Sequence, residues 1–248
     1  MTVVYRKHLF PLNEDERILF RYININKFES LLREKAMFFC WLPYIKKIED
    51  ELEGSLPERE EEFQKQSING TKILNLQIEL NNYTLINCWH INGSESYDMW
   101  EKYSKKGSGV AIYSNADRLS ECFINTKEKV CFSKIKYIDY KKDTFYNKGS
   151  YPNFDYSLLK PIIFKNEKFK YENEYRIICD FIPNEEEKNN LLASFDRNKG
   201  RLISINVNSL IEKIILMPNA DDKFISEIEE LLLKYKFDFP IEKSKLEL

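Results

Sequence analysis

The stretch Glu172-Asn173-Glu174-Tyr175-Arg176-Ile177-Ile178-Cys179-Asp180-Phe181 decides how the rest of the chain is read. Residues 174 to 181 predict a strand, because Tyr175, Ile177 and Cys179 fall on one face at a period of two. Further strands are expected on both sides of it. Leu202–Val207 and Lys213–Met217 follow it, and Val130–Tyr140 precedes it with Phe132, Ile135 and Tyr137 as its apolar positions. Earlier still come Phe20–Ile23, Ala36–Trp41, Tyr83–Trp89 and Val110–Tyr113, the last entered through Gly107 and Gly109. Helical spacing appears after Asn24 or Asn26, either of which can cap a helix carrying Phe28, Leu31 and Leu32. It recurs in Ser96–Ser104, in Tyr156–Lys165 with Pro161 as an early interruption, and in Asp221–Tyr235. Residues 44–66 are charged and helical, with a break near Gly54-Ser55-Leu56-Pro57. Strands in the middle with helices around them predict an α+β fold, a central, mostly antiparallel and split sheet flanked by helices. No internal repeat or Pro/Gly/Ser linker divides the chain, so residues 1–248 read as one domain with 44–70 as a charged helical insertion.

Composition narrows the chemistry. A hydrophobic share of 43% in 248 residues can build a sizeable core. Only 7 Gly argue against a glycine-rich phosphate loop, and only 2 His argue against a histidine metal cluster, so no metal is expected. The formal net charge of −2 excludes a global basic field. Cys40, Cys88, Cys122, Cys131 and Cys179 are odd in number and form no CxxC pair, which suits reduced thiols and a cytoplasmic location. No apolar run is long enough for a membrane span, and no signal peptide is visible.

Several clusters carry possible chemistry, each with a plainer alternative. Glu172, Glu174 and Arg176 share a side if the strand extends through them. Such a set either fixes an ionised carboxylate for a cationic transition state or forms a surface ion-pair ladder on an edge strand. His90, between Trp89 and two amides in Asn87-Cys88-Trp89-His90-Ile91-Asn92, is either a general base or a satisfied strand-end histidine. Cys88 reads as a core thiol rather than a nucleophile. Arg21, beside Tyr22, either clamps a diphosphate or pairs with a core carboxylate. Residues 127–176 hold 12 Lys/Arg against 7 Asp/Glu, interleaved with aromatic residues. Lys136, Lys141, Lys142, Lys165, Lys168 and Lys170 are the candidates there for nucleic-acid contact, against a solvated basic face as the alternative.

Taken in order, these blocks resemble a prokaryotic family, domain of unknown function 2971. The resemblance runs through Arg21-Tyr22, Asn87–Asn92, Glu95-Ser96 with Met99-Trp100 and Tyr103, and Gly109–Ile112. It continues through Lys136–Tyr140, Tyr171–Arg176, Leu210–Lys213 and Met217–Ala220. One departure is early: where the family often has an Asn-Asp-Pro-Phe-Glu turn, this chain has Glu51-Leu52-Glu53-Gly54. The family's layout is in turn similar to that of ADP-ribosyltransferases. That similarity implies NAD as substrate, with Glu172, Glu174 and His90 in catalytic roles. It also implies Arg21, Tyr22, Trp89, Tyr113 and Arg176 at the NAD-binding site. The expected protein is a cytoplasmic toxin or phage-defence effector that modifies nucleic acid or protein. The alternatives are a nucleic-acid-binding module or metal-independent nuclease, and a non-catalytic partner-binding domain.

Overall fold

The computed structural model describes residues 6–9, 11–66, 70–103, 108–145, 158–180, 186 and 188–246. Its first strands are β1 (Arg6–His8), β2 (Ile18–Asn24), β3 (Ala36–Trp41), β4 (Thr84–Ile91), β5 (Gly109–Asn115) and β6 (Val130–Lys134). The later ones are β7 (Lys136–Ile138), β8 (Phe164–Asn166), β9 (Glu174–Asp180), β10 (Gly200–Ser204), β11 (Lys213–Leu216) and β12 (Ile241–Lys243). Among the helices, α1 (Ile25–Glu34), α2 (Leu42–Ile48), α3 (Glu58–Gln66) and α4 (Gly70–Asn82) come first. They are followed by α5 (Tyr97–Tyr103), α6 (Ala116–Glu121), α7 (Lys160–Ile163), α8 (Lys188–Asn198), α9 (Val207–Leu210) and α10 (Asp222–Tyr235).

The fold is α+β and single-domain, with one large, open, mostly antiparallel sheet in the order β1-β6-β9-β4-β2-β5-β11-β12. Only β1–β6 and β11–β12 pair in parallel within it. The sheet forks at β4. On one side β4 pairs with β9 along its length, from Thr84 opposite Asp180 to His90 opposite Glu174. On the other side Leu85 and Ile86 pair with β3, while His90 and Ile91 pair with β2. Asn87, Cys88 and Trp89 lie in the opening between those two partners. β10 extends the β3 branch, with Leu202 opposite Phe38.

Each face of the sheet follows from strand alternation. Leu85, Trp89 and Ile91 of β4 and Tyr175, Ile177 and Cys179 of β9 face a core completed by α1 and α10. The opposite face carries two smaller apolar clusters. One gathers Ile86, Ile178 and Cys131 with Leu42, Ile45 and Ile162. The other gathers Phe20, Tyr22 and Ala111 with Met99 and Trp100 of α5. Helix α1 shows how sequence and packing cooperate. Asn24 accepts a hydrogen bond from the Lys27 backbone N–H at 3.0 Å, a cap worth about 1 kcal/mol. A helix of 10 residues is marginal by itself, and burial of Phe28, Leu31 and Leu32, roughly 1.5–3 kcal/mol each, holds it.

Several sequence expectations need correction. The alternating run 130–140 is two strands in two sheets: β6 joins the main sheet, and β7 pairs with β8. Pro161 does not interrupt a helix but starts one, at the first turn of α7, where its missing N–H costs nothing. Phe164 and Lys165, expected to be helical, form strand β8. Val207 starts helix α9 rather than ending a strand. Residues Tyr156 and Phe181 lie outside the described residues. The exposed-edge expectation for 172–176 also fails, because β9 lies between β4 and β6. Among the described residues no helix is long and apolar enough to cross a membrane.

Gly200 fixes the β3–β10 branch. Its φ of +152° disfavours any side chain, and a Cβ there would come 2.1 Å from the Phe39 carbonyl oxygen and 2.8 Å from Phe38 Cζ. Gly200→Ala is therefore expected to lower the unfolding free energy by at least about 2 kcal/mol. Denaturant unfolding checks this, and an unchanged midpoint would show that the two strands do not approach so closely.

Candidate functional site

The charged residues of 172–176 are drawn inside, between the two apolar clusters of one sheet face. Arg176 has no exposed surface, and Glu174 and Glu172 are 3% and 6% exposed. The Arg176 donors are fully used. Nε and Nη2 donate to Glu174 at 2.7 and 3.2 Å. Nη1 and Nη2 donate to Glu53 at 2.7 and 3.3 Å, and Nη1 also donates to the Ile162 carbonyl at 2.6 Å. Lys165 Nζ reaches Glu172 at 2.5 Å and Glu174 at 3.3 Å. Lys102 Nζ, from α5, completes the set on Glu172 at 2.6 Å. The result is one chain of alternating charge, Lys102–Glu172–Lys165–Glu174–Arg176–Glu53, with three cations facing three carboxylates.

Backbone geometry makes this possible. Glu174 and Arg176 alternate on β9, but Glu172 ends a short 3-10 helix, Glu167–Glu172, and is not part of the strand. Asn173, at φ +35°, turns the chain between them and is pinned by a 2.7 Å bond from its side-chain amide to the Ile91 carbonyl. Asparagine tolerates this left-handed conformation better than most residues. Burial by itself would raise the Glu174 pKa, but the charges of Arg176 and Lys165 override it and hold this carboxylate well below the usual range.

Beside this network, at the fork of the sheet, lies a cleft of about 170 Å³. Arg21, His90, Glu172 and Glu174 all line it. His90 is 4% exposed, and its Nδ1 sits 2.7 Å from the Glu172 carbonyl oxygen. That contact makes Nδ1 the protonated nitrogen and leaves Nε2 as an acceptor. Nε2 is buried and has no hydrogen-bond partner among the described residues. Burial lowers the His90 pKa, so the ring is neutral. Arg21 resolves its own ambiguity: it pairs with no carboxylate among the described residues. Its Nη1 donates to Asn87 Oδ1 at 2.9 Å and to the Cys88 carbonyl. Asn87 in turn donates to the Phe38 carbonyl at 2.9 Å, tying β2, β4 and β3 together across the fork. Burial pushes the Cys88 thiol far up, which fits its reading as a core thiol rather than a nucleophile.

Of the other sequence candidates, Tyr22 and Trp89 also line the cleft, and the rest fall elsewhere. Arg176 cannot take a ligand, because its donors are spent on buried partners. Trp89, 1% exposed, lies in the main core and donates to Asn87 Oδ1 at 2.9 Å. It supports Arg21 from behind, 6.0 Å from its guanidinium, and offers no free face for stacking. Tyr22 is also a wall: 3% exposed, its hydroxyl accepts from the Ser96 N–H, and its ring meets Trp100 edge-on at 4.8 Å. Tyr113 lies one strand further out, edge-on to Phe20 at 5.3 Å, and does not line the cleft. Lys165 is buried in the ion chain and is unavailable to nucleic acid. Lys136, Lys141, Lys142, Lys168 and Lys170 are exposed.

Sequence reasoning missed Glu53, Lys102 and Lys27. Glu53 lay among acidic residues that read as a solvated face, and its signal was its place in Glu51-Leu52-Glu53-Gly54, with Gly54 turning the chain just after it at φ +71°. Tyr103 also lines the cleft, and burial pushes its phenol up to about 12.

Residues 99–177 match the family model described as Protein of unknown function (DUF2971). The family resemblance is established over these residues. The DUF2971 match contains Trp100, Lys102, Lys165, Glu172, Glu174 and Arg176, and so most of the ion chain. Arg21, Glu53 and His90 lie before it. No curated protein and no solved structure matches the chain.

Arg176→Met is expected to cost about 3–5 kcal/mol of stability near neutral pH, because Glu53 would stay buried without its ion-pair partner and Glu174 with Lys165 alone. In the wild type the folded Glu174 pKa lies below its unfolded value. Its contribution is complete above about pH 5.5 and is lost as pH falls from there toward the folded pKa. In the variant, burial without the cation raises these carboxylates, so acid relieves the defect. Denaturant unfolding at pH 7 and at about pH 4 should show the gap narrowing. An equal gap at both would contradict the assignment.

Proposed function

We propose that this protein is an NAD-using enzyme of the ADP-ribosyltransferase kind. The observation that carries the reading is convergence: Arg21, His90, Glu172 and Glu174, far apart in sequence, line one cleft at the fork of the sheet. Both signs of charge line the cleft: Glu172, Glu174 and Glu49 as carboxylates, Arg21 and Lys27 as cations. NAD has the complementary pattern, a cationic nicotinamide and an anionic diphosphate.

The chemistry follows from those charges. The bond between ribose C1′ and the nicotinamide nitrogen breaks, and its electron pair leaves with nicotinamide. Positive charge develops on C1′ and the ring oxygen, and a fixed carboxylate stabilises it. An acceptor nucleophile then bonds to C1′ and gives up its proton. Lys102 and Lys165 hold Glu172 in place, and Lys165 and Arg176 hold Glu174 ionised and in place, so little reorganisation is needed as the charge appears. His90 Nε2 supplies an acceptor for a ribose hydroxyl or the nicotinamide amide. Arg21, anchored on neutral acceptors, keeps its charge for the diphosphate. The proposed setting is the cytosol, as a toxin or phage-defence effector. Exposed Lys136, Lys168 and Lys170, with Tyr171 45% exposed beside Glu172, favour a nucleic acid over a protein as acceptor.

The test uses purified full-length protein with nicotinamide-labelled NAD and, in turn, DNA, RNA and cell protein. Nicotinamide release is expected with the wild type. Glu172→Gln is expected to lower it by about 100-fold or more while retaining the folded state by circular dichroism. Absence of both release and label transfer with every acceptor would sink the proposal.

A further inference from the structure

A second, larger cavity of about 810 Å³ opens on the other side of Arg21. It lies between α1, β3, β10 and α8, and it shares Arg21, Ile23, Lys27 and Phe38 with the cleft. A volume of that size falls in the range that holds a whole small ligand, roughly 300–1,000 Å³, whereas the cleft has room for about one ring. The cavity's chemistry is asymmetric. Among the described residues no carboxylate lines it. Arg21 and Lys27 stand together at its junction with the cleft, and neither has an acidic partner at hydrogen-bond distance. The Lys27 pKa is lowered, by loss of water first and then by the Arg21 charge. Arg201, further along, is engaged by Glu128 at 3.5 Å. The floor is a cross-strand pair, Phe38 opposite Leu202, and these large apolar side chains remain 42% and 41% exposed. Gly200 leaves room for the Phe38 ring, because a Cβ there would meet it. Asn198 and Ser194 of α8 add neutral polar groups to the wall.

An exposed aromatic platform beside two cations that make no direct ion pair among the described residues, with Glu49 and Glu174 acting on them only through space, matches a base joined to phosphates. We infer that this cavity is the subsite for the adenosine 5′-diphosphate half of a dinucleotide. The base lies on Phe38 and Leu202, and the diphosphate lies on Arg21 and Lys27. The inference extends the NAD reading given above, because it places the other half of NAD in a cavity continuous with the cleft.

Binding of ADP, ADP-ribose and nicotinamide mononucleotide to the full chain, measured by calorimetry, separates the two ideas. ADP and ADP-ribose should bind. Phe38→Ala should weaken both by on the order of tenfold or more, with Phe38→Trp retaining binding. Lys27→Ala should weaken both and flatten their dependence on salt. Nicotinamide mononucleotide, which lacks the adenosine, should be indifferent to Leu202→Ala, because Leu202 lines the cavity and not the cleft. Phe38 and Leu202 are both partly exposed, so Leu202→Ala serves as an independent variant, and thermal unfolding confirms folding of each. If ADP binds as described but nicotinamide is never released, the subsite stands and the enzymatic reading fails. Failure of ADP to bind, or binding unaffected by Phe38→Ala and Leu202→Ala, overturns the subsite. So does nicotinamide release whose KM for NAD is unchanged in both variants.

Discussion

The contact between Arg176 and its two carboxylates, Glu174 and Glu53, governs the architecture around it. A guanidinium with no exposed surface would be ruinous without compensation, since removal of either sign leaves a bare charge in a medium of low dielectric. Here all its donors have acceptors, and the acceptors' remaining oxygens continue the chain to Lys165, Glu172 and Lys102. Glu53 comes from the loop after α2, Lys165 from β8, Lys102 from α5 and Arg176 from β9. Four separate segments must therefore reach their places together. Such a network adds little net stability over apolar packing, but it penalises every arrangement in which one member is misplaced.

The network also explains why the site can exist where it does. On that face of the sheet it separates two apolar clusters, so a polar strip runs across an otherwise greasy surface. The strip meets the fork at β4, where Asn87, Cys88 and Trp89 lack a neighbouring strand on one side. Arg21 and Asn87 hydrogen-bond across this gap and keep it from closing or unravelling. Carboxylates thus arrive from one side and a cation from the other, at a place where the sheet leaves room for a ligand. The orphaned Nε2 of His90 belongs to the same picture. A buried acceptor with no partner is costly, and it becomes useful when a ligand supplies the donor.

Much of the fold was legible because local signals and tertiary packing agree. β3 spans Ala36–Trp41 as its apolar run suggests, and Asn24 and Asp221 cap α1 and α10. Misreadings occur where one short element passes into another. Residues 130–140 contain two strands, and Pro161 begins a single helical turn that gives way to β8. The site was legible in part. Glu172, Glu174, Arg21 and His90 were identifiable from residue type and neighbours, and they do converge. What the sequence conceals is depth. Arg176 and Lys165 resemble surface cations until β9 is known to be an inner strand, and Glu53 resembles any other residue of an acidic stretch. Trp89 and Tyr22 read as stacking partners, yet burial commits them to the core. Phe38 shows the reverse, an apparently ordinary strand residue that lies opposite Leu202 and whose ring stays partly exposed, its tip against Gly200.

The central claim is that the fork of the sheet is built to hold a dinucleotide between fixed carboxylates and an arginine–lysine pair. A crystal structure of the Glu172→Gln chain soaked with NAD tests it most directly. The account predicts density for nicotinamide in the cleft beside Glu174 and His90, with the diphosphate against Arg21 and Lys27. A dinucleotide bound elsewhere, or a saturating soak that leaves the fork empty while Arg21 keeps its bonds to Asn87 and Cys88, would contradict it.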